Sequence, residues 1–401
     1  MRSKTMVLTW GEDPSLPGGN GNLTRNILPA IQSAGYDMRL ASFRASGQAG
    51  FVTHHFGRGV SYKYHIYPSF NPLENANGQS FIHWLRRLNP DFVFTPGDLN
   101  WFKPCIDAEL DNWLAYLAID SSPLSAWEED LKRIPYIVTP TKWAFKELLK
   151  MGIRPLGVIE HGIDLRFFPF LNRSQKAKMK KKMGFDSDTI IIGGIGLNQF
   201  RKRWDLWINI FREISDSIPG VKGLLHVPIH GEFPIADLLY SSGIKEKVMM
   251  PIRDVTPITK VPFKDLWKSY ALMDILIHPS GCGAFEYPIM EAQASGVKVV
   301  CNDYAGMSET AIDEYKVKPE KFNWSPGATL HAEADVRGFS SRANEFILMG
   351  DDDSLERRGR ERAEMHDWSK VNPKWVSIFD KLIGHLPEKT QREFTSLMGD
   401  E

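Results

Sequence analysis

Cysteine is scarce in this chain of 401 residues. Cys105, Cys282 and Cys301 are the only three, and no two share a CxxC spacing. An odd, widely spaced set excludes a disulfide framework and argues against a structural zinc site. It fits a reducing compartment. An excess of either charge is also missing. Lysine plus arginine is 49, aspartate plus glutamate is 49, and the formal net charge is +0. No global field recruits nucleic acid or an anionic membrane, so any such binding must come from a local patch. No apolar run approaches the ~20 residues that span a bilayer. The apolar stretch before Glu12 and Asp13 is too short for a secretory signal, which gives the expectation of a cytoplasmic protein. The chain has no low-complexity segment, no visible internal repeat and no P-loop G-K-[ST].

What is present is an ordinary globular mix, 42% hydrophobic and 24% charged. At about 100–200 residues per domain, that length predicts two domains. Met6–Trp10 is a short apolar run that ends at a loop, Gly11 to Gly21, and Pro17-Gly-Gly-Asn-Gly-Asn22 is the glycine-rich part of that connection. Asn22–Ala34 then carries Leu23, Ile27, Ala30, Ile31 and Ala34 at helical spacing, Gly35 stops it, and Tyr36–Ala41 starts a second strand. Further strands are predicted at Phe92–Thr95, Leu114–Ile119 and Tyr136–Thr139, with a helix over Lys142–Met151. The pattern restarts after Pro169. Strands are predicted at Thr189–Gly193, Gly223–His226, Val248–Met250, Ile275–His278 and Val297–Cys301. Helices are predicted at Gln175–Met183, Trp204–Ile214 and Glu286–Ala294. Ala334–Met349, Ser354–His366 and Lys374–Ile383 read as closing helices.

Short apolar strands alternating with helices predict an α/β protein with parallel sheets covered on both faces. The expected architecture is two Rossmann-like doubly wound domains facing a cleft. Residues 1–168 form the first, acceptor-side domain and 169–368 the second, donor domain. Residues 369–401 form a helix that returns to the first domain, and a tail. Ligands on such sheets bind beyond the carboxyl ends of the strands.

Five segments fall in order along the second half: His161-Gly-Ile-Asp164, Asn198-Gln-Phe-Arg-Lys202, Asp274-Ile-Leu-Ile-His-Pro-Ser280, Gly283-Ala-Phe-Glu-Tyr-Pro-Ile-Met-Glu291 and Ala294-Ser-Gly-Val-Lys-Val-Val300. In type, order and spacing they resemble the donor domain of GT-B glycosyltransferases, in particular the large retaining family 4. The likeness covers roughly Tyr136 to Glu309. It implies transfer of a sugar from a nucleotide-sugar donor, a UDP-sugar first, to a hydroxyl acceptor. It also implies retention of anomeric configuration, with neither metal nor cofactor.

The resemblance assigns roles residue by residue. Arg201 and Lys202 follow the first strand of the second half, where two cations stabilise the charge that grows on a departing diphosphate. Asn198 stands in the same loop, on the donor side. Glu291 matches the second of the family's two glutamates, the acceptor for the ribose hydroxyls. The first glutamate is missing: Gly283 occupies its place, and Glu286 stands where the family has glycine. Glu286 is the candidate to supply the sugar-binding carboxylate instead. Pro288 suits a first helical turn, so the N–H groups of Phe285, Glu286 and Tyr287 are expected to point at the diphosphate. Gly19 and Gly21 are expected to let backbone approach the donor. Asp120, after the strand Leu114–Ile119, stands where the family has histidine, and is expected to orient a sugar hydroxyl or help deprotonate the acceptor. Asp98 ends a neighbouring strand in a similar way.

Other features read as bland. Asp186-Ser-Asp188 precedes its strand, so it is a turn rather than a metal-binding DxD. Asp351-Asp-Asp353 starts a helix. Lysines 176, 178, 180, 181 and 182 read as a solvated helix face. His226 and His278 read as satisfied core histidines. The aromatics Trp84, Trp101, Phe102, Trp113, Tyr116 and Trp127 read mostly as core. The acceptor is open between a lipid-linked sugar, a glycan, a small metabolite and, with least support, a hydroxymethylated DNA base. An inactive nucleotide-sugar-binding protein and a sugar-nucleotide epimerase are the alternative readings. The sequence assigns no oligomeric state.

Overall fold

A computed structural model describes residues 5–383 except 17, 43, 44, 46, 70–78, 252–262, 351 and 352. The first sheet has eight strands: β1 (Met6–Gly11), β2 (Asp37–Ser42), β3 (Gly50–Gly57), β4 (Val60–Pro68), β5 (Phe92–Gly97), β6 (Trp113–Leu117), β7 (Tyr136–Thr139) and β8 (Gly157–Val158). Their order is β3-β4-β2-β1-β5-β6-β7-β8. Only β3 and β4 pair antiparallel. The second sheet is wholly parallel, with β9 (Ile191–Ile195), β10 (Lys222–His226), β11 (Val248–Met249), β12 (Ile275–His278), β13 (Lys298–Asn302) and β14 (Lys316–Val317). It runs β11-β10-β9-β12-β13-β14. A separate antiparallel hairpin joins β15 (Lys321–Trp324) to β16 (Leu330–Glu333).

Side-chain alternation builds the core. Val7, Phe92, Phe94, Leu114 and Tyr116 pack on one face of the first sheet. Leu8, Trp10, Val93, Trp113, Ala115 and Leu117 pack on the other. Successive residues of a strand point to opposite faces, so a continuous apolar run covers both. In each sheet the strand order reverses next to the first strand: β1 lies between β2 and β5, and β9 between β10 and β12. Such switch points open a crevice beyond the strand ends. The loops after β9 and β12 carry Arg201, Lys202 and Glu286.

The last helix, Trp368–Ile383, crosses back onto the first domain. Trp375 packs edge-on against Phe94 and Tyr116, and Phe379 against Phe92 and Phe94. Tyr36 donates to Asp380 at 2.6 Å. This helix begins six residues before the predicted Lys374, running through Pro373. Burial of Trp368 and Val371 outweighs the hydrogen bond that proline cannot make. A second tie is the Glu309 carboxylate, which accepts from the Lys142 and Trp143 N–H groups at 2.9 and 2.6 Å. It caps the first turn of the Lys142–Lys150 helix across the domain boundary.

Several expectations are corrected. The turn at 17–22 is not all loop: the helix opens at Gly19 and runs to Ser33, and Pro17 lies outside the described residues. The lysine run is not a solvated face throughout. Lys176 is buried, and its ammonium donates to the carbonyls of Met273 and Gly296. Lys180 is buried too, paired with Asp274 at 2.6 Å. Both anchor the Arg173–Lys182 helix to the second sheet. Asp186 and Asp188 lie at a turn before β9, closed by the Thr189 N–H to the Asp186 carbonyl. Asp353 precedes the Ser354–Met365 helix and pairs with Arg357, while Asp351 and Asp352 fall outside the described residues. The hairpins β3–β4 and β15–β16 were not predicted. Among the described residues no helix is long and apolar enough to cross a membrane.

Candidate functional site

The loop after β9 tightens into a single 3-10 turn, Phe200–Lys202, and Arg203 then enters the left-handed region at φ 53° to start the next helix. This geometry turns Arg201 and Lys202 toward the loop after β12. Glu286 stands there at φ 62°, also left-handed, as the residue before the Tyr287–Ala294 helix. A non-glycine residue in that region is strained, and strain of this kind collects at functional sites.

The three charges meet. Arg201 Nη1 donates to Glu286 Oε1 at 2.6 Å and to the Cys282 carbonyl at 3.1 Å. Lys202 Nζ donates to Glu286 Oε2, and His278 Nε2 lies 2.8 Å from the same oxygen. The side chains of Arg201, Lys202 and Arg203 are 32%, 7% and 16% exposed, so this is not a freely solvated basic loop. Arg203 pairs instead with Asp205 at 2.8 Å. Burial opposes ionisation of Glu286, but Lys202 and Arg201 overcome it and hold its carboxyl well below the usual range. Burial and the neighbouring guanidinium push Lys202 down to about 8. The cluster therefore carries more positive than negative charge and borders the cleft.

Gly283 explains the placement of Glu286. A Cβ at position 283 would lie 2.1 Å from Glu286 Oε1 and 2.3 Å from its Cγ. The carboxyl of Glu286 thus fills the space that a side chain at 283 would take.

Glu291, one helical turn further on, is buried and accepts from Tyr270 Oη at 2.7 Å. Burial pushes its carboxyl up to about 7, against the Tyr270 hydrogen bond and the charge of Arg25 from the first domain. Phe285 and Tyr287 pack with His161 at ring-centroid distances of 4.8 and 5.4 Å. Burial holds His161 neutral, down to about 3, and neither ring nitrogen has a hydrogen-bond partner among the described residues.

The first domain closes on this loop. Gly283 N–H donates to the Asp120 carbonyl at 3.1 Å. Asp120 Oδ1 accepts from Ser121 Oγ at 3.0 Å, and Oδ2 lies 3.6 Å from Cys282 Sγ. Asp98 is open to solvent in the cleft. The protein around it, then the Asp120 charge, push its carboxyl up, and the Arg201 charge works against this. Gly19 faces the Tyr287 ring, where an added Cβ would make ordinary contact at 3.5 Å. Gly21 answers to its own chain: a Cβ there would lie 2.4 Å from the Leu16 carbonyl, while its N–H donates to Glu12 at 2.8 Å.

The structure therefore gathers Arg201, Lys202, Glu286, Asp120 and the Phe285–Tyr287 turn, with Gly19 against Tyr287. Asn198 is engaged elsewhere: its amide exchanges two hydrogen bonds of 2.9 Å with the Phe233 backbone and pins the 229–233 loop. His278 is not bland core, because it fixes Glu286. His226 is satisfied by Ser269 at 2.7 Å. Sequence reasoning missed His331 on β16, whose Nε2 lies 3.4 Å from Cys282 Sγ. No motif flags it. A cavity of about 520 Å³ between the domains, lined by Thr141, Phe285, Glu309, Arg362 and His366 among others, touches none of Arg201, Lys202, Glu286 or Glu291. Volume alone does not find this site.

Comparison with known folds decides the architecture. The chain superposes on sucrose-phosphate synthase from Thermosynechococcus elongatus with a TM-score of 0.72, at 14% identity over 96% of this chain and 100% of that one. A glycosyltransferase from Rickettsia africae gives 0.69, at 15% identity, with 96% and 100% covered. This is a GT-B fold. Anabaena HepE in complex with UDP shares the GT-B arrangement at 0.68, with 12% identity over 94% and 100%. No protein-family model matches the chain. Among curated proteins, a putative glycosyltransferase of a Sulfolobus islandicus filamentous virus is 28% identical over 191 residues, 46% of this chain and 47% of its own length. The lipopolysaccharide core mannosyltransferase LpsB of Rhizobium meliloti is 28% identical over 162 residues, 39% and 42%. The matches thus span about half or less of those relatives.

Proposed function

We propose that this protein is a glycosyltransferase. It moves a sugar from a nucleotide-sugar donor, a UDP-sugar first, to a hydroxyl acceptor, with retention and without a metal. One observation carries the reading: the Arg201–Lys202 pair, Lys202 buried and Arg201 partly so, sits beside the N-terminus of the Tyr287–Ala294 helix at the cleft. Two cations and a helix N-terminus form an anion site that suits a diphosphate whose charge grows as the glycosidic bond breaks. The cations take the place that a divalent ion holds in metal-dependent transfer. Structural neighbours bound to UDP and UDP-glucose support the choice of donor.

The roles follow from position. Glu291 accepts the ribose hydroxyls. Glu286 faces the transferred sugar and, in the empty site, balances the two cations. The glycine at 283, in place of a glutamate, is what speaks for the inactive-protein reading. Glu286 returns a carboxylate to that space, which removes the motive for it. Burial of Lys176 and Lys180 takes two cations of the lysine run away from any contact with nucleic acid, which counts against a DNA-base acceptor. A glycan, lipid-linked sugar or small metabolite is the acceptor class that remains. The cytoplasm is its proposed location.

Calorimetry with UDP, in buffer and in chelator, tests the donor site. Binding should survive the chelator, and its complete loss there would overturn the metal-free reading. Lys202→Ala should lower turnover by roughly 100- to 1000-fold, the usual effect of losing one such stabiliser.

A further inference from the structure

The cavity between the domains holds charge that the donor site does not use. Its volume of about 520 Å³ lies in the range of small-molecule sites, roughly 300–1,000 Å³. Among the described residues five cations line it: Lys142 and Lys146 from the first domain, Lys316, Arg358 and Arg362 from the second. Three carboxylates, Glu160, Glu309 and Asp313, line it as well. Most of these groups are already engaged. Asp313 pairs with Lys316 at 2.7 Å and meets Arg362 only as a more distant charge. Glu160 pairs with Lys374 at 2.8 Å, and Arg358 with Glu314, both partners outside the lining. Glu309 gives its two carboxylate oxygens to the Lys142 and Trp143 N–H groups.

Lys142, Lys146 and Arg362 are left, and among the described residues none of them is in ion-pair contact with a carboxylate. Arg362 Nη2 donates to the Glu309 carbonyl, but its Nε is buried and has no hydrogen-bond partner among the described residues. Buried donors are nearly always satisfied, so this one marks a place for an acceptor atom. Lys142 and Lys146 are exposed and stand one helical turn apart, where like charges repel. An anion between them relieves that repulsion. Three cations that meet one space from two domains suit a group with several oxygens and about two charges, which is a phosphate. The cavity touches none of Arg201, Lys202, Glu286 or Glu291, so its occupant is neither the donor nor in reach of the bond that breaks. Its walls nevertheless continue into the donor loop. Phe285 lines it and precedes Glu286 in the chain. The 308–313 segment lines it too, and just before that segment Gly306 N–H donates to the Gly283 carbonyl at 2.9 Å.

We propose that this cavity is an effector site for a small phosphate-bearing molecule, held by Lys142 and Lys146 on one side and Arg362 on the other. The effector bridges the domains and stabilises the arrangement in which Glu309 caps the Lys142–Lys150 helix. It also braces the loop that carries Glu286. On the glycosyl-transfer reading above, it therefore tightens binding of the nucleoside diphosphate, and the nucleotide tightens binding of the effector by the same factor.

The test uses the full chain saturated with UDP, so that Arg201 and Lys202 are occupied. Inorganic phosphate is the probe, and sodium chloride at equal ionic strength is the blank. Calorimetry should show phosphate binding to the UDP complex. Lys142→Ala/Lys146→Ala and Arg362→Gln should each weaken it about tenfold or more, yet bind UDP like the wild type when phosphate is absent. Both lysines are exposed, and Arg362→Gln keeps a donor for the Glu309 carbonyl, so the fold should survive in each. At saturating phosphate the wild type should bind UDP about fivefold more tightly than the variants, the low end of ordinary coupling. Competition by phosphate at the donor site is common to all three proteins and cancels in that ratio. Absence of phosphate binding to the UDP complex would overturn the proposal, as would binding that both variants leave unchanged. Equal UDP affinities at saturating phosphate would overturn the effector role. A wild type that fails to bind UDP would refute the glycosyl-transfer reading instead, and phosphate binding lost in the cavity variants would still establish the site.

Discussion

Glu286→Ala separates the two roles given to this carboxylate, because it should move stability, nucleotide affinity and turnover in different directions. In the empty protein Glu286 is the shared partner of Lys202 and Arg201. Removing one member of a buried ion pair typically costs about 3–5 kcal/mol, since the remaining charge is left uncompensated. Arg201 keeps a third of its side chain in solvent, so the lower end, about 3 kcal/mol, is expected. At roughly 2–4 °C per kcal/mol for domains of this size, Tm should fall by about 6–12 °C. Nucleotide binding should move the other way. For a phosphate that reaches the same cations, a separation of about 6 Å from the carboxylate is taken as the order of magnitude. With an effective dielectric constant near 20 the repulsion is roughly 3 kcal/mol per unit charge. Water in the cleft reduces that, so UDP should bind at least about tenfold more tightly to Glu286→Ala, a gain of ~1.4 kcal/mol. Turnover should nevertheless drop, because the sugar loses its carboxylate. Calorimetry with UDP, thermal unfolding and UDP release from UDP-glucose measure the three quantities. If UDP affinity falls in step with turnover, Glu286 binds the nucleotide itself and the division of labour is wrong.

Three further outcomes are expected. Gly283→Ala should leave the fold intact but displace the Glu286 carboxyl from Lys202, since the added Cβ meets the movable end of that side chain; turnover should fall toward that of Glu286→Ala. Glu291 has a folded pKa raised to about 7, so the folded state holds its proton where the unfolded chain has lost it. Stability should therefore decline as pH rises from the ordinary carboxylate range to about 7, and Glu291→Gln should flatten that slope in urea titrations at several pH values. UDP affinity should rise more steeply across the same interval in the wild type than in Glu291→Gln, because an ionised carboxylate is the stronger acceptor for ribose hydroxyls, while the second ionisation of the terminal phosphate near pH 6 acts in both. Trp375→Ala removes a fully buried ring from the core beneath Phe94 and Tyr116. It should cost about 3–5 kcal/mol in denaturant unfolding and loosen the return of the last helix onto the first domain.

The parts of the fold legible in the sequence are those with strong local period. The run Met6–Trp10, the helix that follows it, and the strands around Phe94, Tyr116, Ile192, Ile277 and Val299 all lie where apolar periodicity places them. Hydrophobic burial dictates such elements residue by residue. The β4 strand is legible too, because Val60, Tyr62, Tyr64 and Ile66 alternate with Ser61, Lys63, His65 and Tyr67. The short β15–β16 pair offers only four residues a strand, too few for a period to stand out.

The candidate site divides in the same way. The identities of Arg201, Lys202, Glu286 and Glu291 came from motif order alone, because a phosphate or a ribose demands particular groups at particular chain positions. Their mutual geometry did not. That Glu286 fills the space above Gly283, that His278 fixes it from the end of β12, and that Lys176 and Lys180 turn inward all depend on residues brought together from distant segments. His331 shows this most clearly. It carries no motif and lies far along the chain from Asp120, yet the hairpin's backbone bonds to Ser122 and Gly281 set it between the domains. Local sequence determined which groups the protein owns, because periodicity and side-chain chemistry act over a few residues. Only the tertiary structure decided which of them share a few ångströms, because charge neutralisation and close packing depend on distances in space.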